Sequence, residues 1–137
     1  MADSNTNAGL QCIVVTPEET VLDASSDYVV VPLFDGELGI APKHSPMIGR
    51  LGFGELRITS AGESHRYFVD GGFVQVADNV VSIMTNRAKP VSDIDLSDAE
   101  KQLETALAAP KASGDAVMLR QRAIDQARGL VRAAKRN

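Results

Sequence analysis

The sequence predicts an all-β sandwich followed by an antiparallel two-helix hairpin, and two contrasts along the chain carry that prediction. Eight of the eleven glycines lie between Gly36 and Gly72, among short runs rich in β-branched residues, as in a compact sandwich or barrel. After Pro90 glycine is scarce, alanine is frequent, and apolar residues recur with the period of a helix. The expected segments are a flexible tail, a β-sandwich and an α-helical hairpin, over residues 1–9, 10–88 and 89–137 respectively.

Six short apolar runs are the candidate strands. They cover residues 10–15, 27–33, 55–60, 65–70, 72–77 and 79–85. Within Glu55–Thr59 polar and apolar residues alternate, which predicts a sheet with one face in water. Ala61–Gly62 and Asp78–Asn79 are short polar interruptions suited to hairpin turns. Because Val80–Met84 is apolar nearly throughout, we expect that strand to be covered on both faces.

Three closely spaced glycines, Gly49, Gly52 and Gly54, look like a scrambled nucleotide-binding fingerprint. That fingerprint requires a helix directly after it, and no helical pattern follows these residues. We interpret them as turn and bulge glycines.

The helical segment has start and stop signals of its own. Ser97 and Glu100 have the spacing of a capping box, which predicts the first helix to begin there. Proline disfavours helical geometry in the residue before it, so this helix should end at Ala109–Pro110. A polar connector, Lys111–Gly114, leads to a second helix from about Asp115 to Ala134. Its predicted buried stripe is Ala116, Leu119, Ala123, Ala127, Leu130 and Ala134.

Composition and motifs argue against most catalytic and nucleic-acid functions. The chain carries a formal net charge of -4, has no apolar run long enough for a membrane span, and has one cysteine, Cys12. Cys12 lies in an apolar run and is interpreted as a small core residue. His44 and His65 have no ligand partners at metal-binding spacing, and no nucleophile–base arrangement can be assigned. We expect a reduced cytoplasmic non-enzyme without metal or cofactor.

Charge is distributed unevenly over the predicted hairpin. Residues 93–104 hold five acids and one lysine, whereas residues 115–137 hold two acids and six bases. Matching of charge to the helix dipole explains part of this pattern. The remaining basic excess on the last helix favours an acidic partner surface.

Two motifs carry a resemblance to a known family. They read G-x-L-G-I-x-P-x-H-x-P at Gly36–Pro46 and G-G-F-x-x-V-x-x-N-x-V at Gly71–Val81. From about Leu10 to Lys135 the chain resembles the epsilon subunits of bacterial F-type ATP synthases, the counterparts of the mitochondrial delta subunit. The resemblance implies a non-catalytic rotor subunit, peripheral on the cytoplasmic face of the inner membrane. It also implies that the sandwich docks on the gamma subunit and the c-ring.

The resemblance further implies a regulatory latch, meaning a hairpin that folds against the sandwich or extends toward the alpha and beta subunits and inhibits ATP hydrolysis. Glu37, in the GELG turn, aligns with the family position that faces the c-ring. His44 aligns with the family histidine near gamma; holding its own loop by hydrogen bonds is an equally good interpretation. Arg128 and Arg132 are four residues apart and share one helix face, so we expect them to meet acidic loops of alpha and beta.

One departure from the family pattern concerns ATP. Some members bind ATP through a motif like I/L-D-x-x-R-A, and the corresponding stretch here is Ile94–Ala99. Asp98 stands where the arginine would contact phosphate, and Gln126 falls near a position where those members carry a base. An acid in the arginine position reverses the electrostatics for a polyanion, so we expect no ATP binding at the hairpin.

A free-standing small β domain that binds a ligand or an oligonucleotide is the alternative. A ligand-binding domain would need a cluster of polar residues to line its pocket, and none is visible. Residues 10–87 hold only five bases and aromatic residues are 4% of the chain, whereas oligonucleotide binding uses interleaved bases and aromatics. The sequence therefore favours the rotor subunit, with no nucleic-acid partner and membrane association only through the complex.

Overall fold

The structure is a computed structural model that describes residues 9–110 and 113–136. Residues 1–8 of the predicted tail and residues 111–112 of the predicted connector lie outside the described part. The described chain forms eight strands, a short 3-10 turn and two helices. Neither helix is long and apolar enough to cross a bilayer.

The eight strands form one hydrogen-bonded sheet with the order β2-β1-β7-β6-β5-β3-β4, and β8 pairs with β6. Their bounds are β1 Leu10–Val15, β2 Thr20–Ser26, β3 Tyr28–Leu33, β4 Gly36–Ile40, β5 Met47–Ser60, β6 Glu63–Ala77, β7 Val80–Met84 and β8 Ala88–Pro90. Only β1 and β7 pair in parallel. Val14 on β1 and Val29 on β3 are separated by three strands but belong to one buried cluster, so the sheet folds over itself as a sandwich. The predicted fold class is confirmed.

The two longest strands, β5 and β6, form the central pair of the sandwich. Their antiparallel pairing keeps one register from Met47 opposite Val76 to Ser60 opposite Glu63. The predicted turns at Ala61–Gly62 and Asp78–Asn79 are confirmed, since all four residues have positive φ between two antiparallel strands. Such φ values are those of the hairpin turns that match the twist of paired strands.

Two adjacent glycines interrupt the regular strand geometry of β6. Gly71 and Gly72 have φ of 69° and 107° in the middle of β6, a region that side chains with a Cβ rarely adopt. On either side of them β6 changes its second partner from β8 to β7. This change allows one strand to serve two parts of the sandwich.

Several glycines predicted at turns lie inside a strand instead. Gly49, Gly52 and Gly54 all belong to β5, so the turn interpretation is wrong. A Cβ on Gly52 would lie 3.0 Å from the Leu33 carbonyl oxygen, so a side chain there would require the β3 backbone to shift by a few tenths of an ångström. The pairing of β3 with β5 also shifts register nearby, as expected for a bulge.

The run Val80–Met84 is not covered on both faces as predicted. Val81 and Ile83 are fully buried, but Ser82 is half-buried and Met84 is 45% exposed. One face of β7 packs in the core and the other remains open. Core packing therefore does not explain the exposed apolar side chain of Met84.

The helices are α1, Leu96–Ala108, and α2, Asp115–Lys135. The capping-box prediction is wrong by two residues. Asp95 is the N-cap, and its Oδ1 accepts a hydrogen bond of 2.8 Å from the Ser97 amide. A carboxylate suits that place because it satisfies a free amide and faces the positive end of the helix. The end of α1 is confirmed, since Ala109 is extended before Pro110.

Only half of the predicted stripe on α2 is buried. Ala116, Leu119 and Ala123 are exposed, and burial begins at Ile124. The reason is geometric, because the carboxyl-terminal half of α2 reaches the sheet: Gly129 lies against the Phe53 backbone and Leu130 packs with Phe68. The residues of α2 that are buried are Ile124, Ala127, Gly129, Leu130, Ala133 and Ala134.

The sheet continues slightly beyond the expected domain boundary at residue 88. Lys89 and Pro90 pair with Phe68 and Tyr67 of β6. Val91, in the 3-10 turn that follows, is 1% exposed. We therefore place the last residue of the sandwich at Val91.

A chain that ends at Val91 should fold without the hairpin. It keeps all eight strands and the complete main core, so circular dichroism should show sheet and a cooperative melt. A chain that ends at Arg87 loses β8 and should melt at a lower temperature. An unfolded 1–91 chain would contradict an independent sandwich.

The single thiol should make stability fall in alkali. Burial raises the pKa of the Cys12 thiol from 9.0 to about 12, and Asp23 adds to the rise. Because the unfolded thiol ionises first, the free energy of unfolding should decrease with rising pH, by up to about 1.4 kcal/mol per unit above about pH 9. Urea titrations of the unchanged chain and Cys12→Ala measure this. Equal pH slopes in both would show that the thiol does not contribute.

Candidate functional site

The outer face of β5 and β6 forms the seat of the hairpin. Glu55 lies opposite Phe68, and Phe53 lies opposite Asp70, so these four side chains share one face of the sheet. Phe68 is fully buried and Glu55 is 6% exposed. The prediction that polar residues of Glu55–Thr59 face water is therefore wrong at Glu55, because the end of α2 covers it.

Close contact between α2 and the seat depends on one glycine. A Cβ on Gly129 would lie 2.6 Å from the carbonyl oxygen of Phe53, so any side chain there would push the helix away. Leu130 and Ala133 join Phe68 in a second apolar cluster, distinct from the main core. The hairpin thus packs directly on the strand backbone, with small residues at the contact.

Glu55 is the first of two buried carboxylates in the seat. It pairs with Arg66 at 2.6 Å, Arg57 at 3.3 Å and Arg136 at 3.5 Å. The first two arginines belong to the sheet, whereas Arg136 follows the last turn of α2. Arg66 also donates a hydrogen bond of 3.2 Å to the Arg136 carbonyl oxygen. The end of the hairpin is held by both an ion pair and a backbone contact.

Asp70 is the second buried carboxylate in the seat. Its Oδ2 accepts a hydrogen bond of 2.6 Å from Gln126 Nε2 on α2 and lies 3.8 Å from Arg87 Nε. Its Oδ1 is buried and, among the described residues, has no hydrogen-bond partner. Asp70 thus depends on the hairpin for its short hydrogen bond.

Arg128 and Arg132 lie beside the seat and are exposed. They line a groove of about 570 Å³ with Arg50 and Arg122, and Asp125 is the one acid there. Arg122 stands over the Phe53 ring at 5.2 Å, and Arg50 over Phe34 at 5.6 Å. Within the described part of the chain, Arg128 and Arg132 have neither a hydrogen bond nor an ion pair through their side chains. They are therefore available to an acidic partner.

Glu37 lies in a strand and not in a turn as predicted. The turn is Phe34–Asp35, and Glu37 is the second residue of β4, exposed and opposite Pro32. It lines a cavity of about 320 Å³ together with Arg132 and Arg136. The end of the hairpin is therefore its neighbour.

His44 lies elsewhere, in the loop after β4. Its amide donates to the Ala41 carbonyl oxygen at 3.2 Å, and its Nδ1 lies 2.7 Å from the Ser45 carbonyl oxygen. The adjacent Lys43 amide donates to Asn79 Oδ1 at 2.6 Å, which ties the loop to the β6–β7 turn. These bonds fit a histidine that holds its own loop. The described structure brings His44 and Glu37 to no common site.

Sequence reasoning missed an exposed apolar patch on the outer sheet face. Ile48 is 74% exposed, Phe73 is 54% exposed, and Met84 lies opposite Phe73 on the neighbouring strand. We call these three residues the apolar face. The one signal in the sequence was Met84, in the nearly apolar run Val80–Met84, which we expected to be covered on both faces. Exposed apolar side chains grouped on a rigid sheet are typical of a protein-binding surface.

The described residues provide binding surfaces and no catalytic arrangement. No three His, Cys, Asp or Glu side chains come together as metal ligands in residues 9–110 and 113–136. Asp98 is exposed in the first turn of α1. The chemistry that this geometry supports is recognition of other protein chains.

Comparison with known proteins agrees with a recognition role. A family model described as ATP synthase, Delta/Epsilon chain, beta-sandwich domain matches residues 9–91. The ATP synthase epsilon chain of Rhodopirellula baltica is 47% identical over 126 residues, covering 92% of this chain and 98% of that protein. The epsilon chain of Granulibacter bethesdensis is 36% identical and covers 89% and 94%.

Solved structures show the same fold. A chain of the Euglena gracilis mitochondrial ATP synthase, solved as an OSCP/F1/c-ring assembly, aligns with a TM-score of 0.82 at 26% identity. That alignment covers 92% of this chain and 81% of the other. A chain of the Tetrahymena thermophila central stalk and c-ring aligns with a TM-score of 0.71 at 17% identity, over 91% and 96%. The likeness includes the helices as well as the sandwich.

Proposed function

The chain belongs to the ATP synthase delta/epsilon family, and from this premise we propose which of its surfaces do the work of such a subunit. It is a non-catalytic subunit of an F-type ATP synthase and belongs to the central stalk, where it couples the c-ring to gamma. The observation that carries the assignment is the match along 92% of the chain to an epsilon chain. The alternative of a free-standing ligand-binding or oligonucleotide-binding domain is not favoured by any of these comparisons.

The sandwich is the part that docks on the rotor. We assign the apolar face of Ile48, Phe73 and Met84 to gamma, because it is the exposed apolar patch on the stiff central strands. Glu37 is the candidate contact to polar loops of the c-ring, since it is exposed at the start of β4. His44 serves chiefly to hold its loop.

The hairpin is the regulatory part. In the present structure it is folded against the sandwich, with Arg128 and Arg132 open to solvent. On extension these arginines would meet acidic loops of alpha and beta and inhibit ATP hydrolysis. A pair of guanidinium groups on one helix face suits recognition of carboxylates.

The subunit is peripheral and belongs to a membrane-associated complex. We place it at the cytoplasmic face of the bacterial inner membrane, where the catalytic head and the c-ring loops meet. It would reach the membrane only through its partner subunits.

Co-purification tests the docking surface. The native protein should be recovered with gamma, alpha and beta, and Phe73→Glu should lose gamma because a charge at this position must be desolvated on docking. Met118→Glu, at an exposed apolar position of the hairpin, is the matched control and should keep gamma. Circular dichroism checks that both variants fold.

Two outcomes would contradict these assignments. Recovery of the native chain alone or with nucleic acid would overturn the subunit function. Retention of gamma by folded Phe73→Glu would overturn the docking surface and leave the subunit function intact.

Hydrolysis by the assembled enzyme tests the inhibitory role. Changing Arg128 and Arg132 together to alanine should raise the rate roughly two- to fivefold, since exposed ion pairs contribute little each. Added salt should reproduce part of this rise. Deletion of residues 92–137 should raise hydrolysis at least as far while assembly and proton coupling persist through the sandwich.

The charge-conserving double change to lysine is the control and should raise hydrolysis less than the change to alanine, because it keeps both positive charges. Equal hydrolysis rates with and without residues 92–137 would mean that the hairpin does not inhibit here.

A further inference from the structure

We propose that the closed hairpin is held by a carboxylate clamp, in which Asp70 and Glu55 of the sheet bind Gln126 and Arg136 of α2, and that this clamp sets how often the hairpin opens. The face of α2 that packs on the seat consists mainly of alanine, glycine and leucine. Small apolar contacts are non-directional and specify position weakly. Directional polar bonds supply the missing specificity.

The Asp70–Gln126 bond is the stronger point of the clamp. It is short, it involves a carboxylate, and it joins a sheet residue to a helix residue 56 positions later. Hydrogen bonds to charged, shielded groups are worth more than neutral ones. When the hairpin leaves, Arg87 at 3.8 Å is the one ion-pair partner that Asp70 retains among the described residues.

The Glu55–Arg136 contact is the weaker point. Glu55 keeps Arg57 and Arg66 after opening, because both belong to the sheet. Its pair with Arg136 is longer, and the Arg136 side chain is 54% exposed. This contact therefore fixes the end of the helix at small cost to opening.

The two points together fix the position and direction of α2. Gln126 and Arg136 are ten residues apart, or about 15 Å along the helix axis. A helix held at two points so far apart cannot slide or rotate on the seat without breaking one of them.

Two features keep the clamp breakable. Asp70 Oδ1 is buried without a described donor, so closing costs part of its hydration. Closing also brings α2 arginines to the groove that Arg50 lines, and like charges there repel. The closed state is therefore stabilised by the clamp and opposed by the groove.

Hydrogen exchange of the full isolated chain tests the clamp. Gln126→Leu should speed exchange of the amides in residues 124–134 by about tenfold or more, from the loss of a hydrogen bond to a charged group. Exchange of amides in residues 72–76 of the main core should not change. Arg136→Gln should produce a smaller acceleration.

Gln121→Leu is the matched control. Gln121 is on the same helix, and its side chain binds Asp125 within that helix and not the sheet. This variant should leave exchange of residues 124–134 unchanged. Asp70→Ala and Gln126→Ala each remove the same hydrogen bond. The double variant should therefore open the hairpin no more than the stronger single variant does.

Gln126→Leu exchange equal to that of Gln121→Leu would overturn the clamp. So would equal acceleration in the hairpin and in the main core, since that would indicate a general loss of stability. Additive effects of Asp70→Ala and Gln126→Ala would also contradict it.

The expected effect on the enzyme rests on the proposed inhibitory function. If extension inhibits, Gln126→Leu should lower ATP hydrolysis by the assembled enzyme. Faster hairpin exchange with unchanged hydrolysis would support the clamp and contradict the inhibitory function. The exchange measurement therefore tests the clamp independently of the inhibitory function.

Discussion

The pairing of β5 with β6 in a single register on both sides of the Gly71–Gly72 interruption is the constraint on which the rest of the structure depends. Its inner face supplies residues such as Leu56 and Val74 to the main core. Its outer face presents Phe53, Glu55 and Asp70 to the hairpin at one end and Phe73 to solvent at the other. Because side chains alternate within each half of these strands, a one-residue slip would exchange the core with both surfaces. One register therefore fixes the core, the seat of the hairpin and the apolar face together.

The fold was largely accessible from sequence because its signals are local. The turns at Ala61–Gly62 and Asp78–Asn79 and the end of α1 before Pro110 depend on backbone preferences that neighbouring residues reveal. The whole of β4 escaped prediction because its residues are also those of a recognition motif, and the strand depends on pairing with β3. Pairing between segments leaves little trace in either segment alone.

The site was less accessible for the same reason. Glu55 looks like an ordinary outward residue of an alternating strand, and nothing near it indicates that Arg136 will cover it. Gln126 likewise appears as a polar helix residue until Asp70 is placed beside it. Arg128 and Arg132 could be assigned to one face because the helical period alone determines that. Contacts across 56 or 81 residues require the tertiary fold.

The apolar face also bears on how the complex is made. A copy of this chain without its partner exposes Ile48, Phe73 and Met84 on three neighbouring strands. Such a surface favours association with whatever apolar surface is at hand, including other unassembled copies. A cell that makes more of this subunit than of its binding partner would accumulate unassembled copies that are prone to associate. If gamma covers this face as proposed, balanced synthesis of the two chains or rapid proteolysis of the surplus would prevent such association.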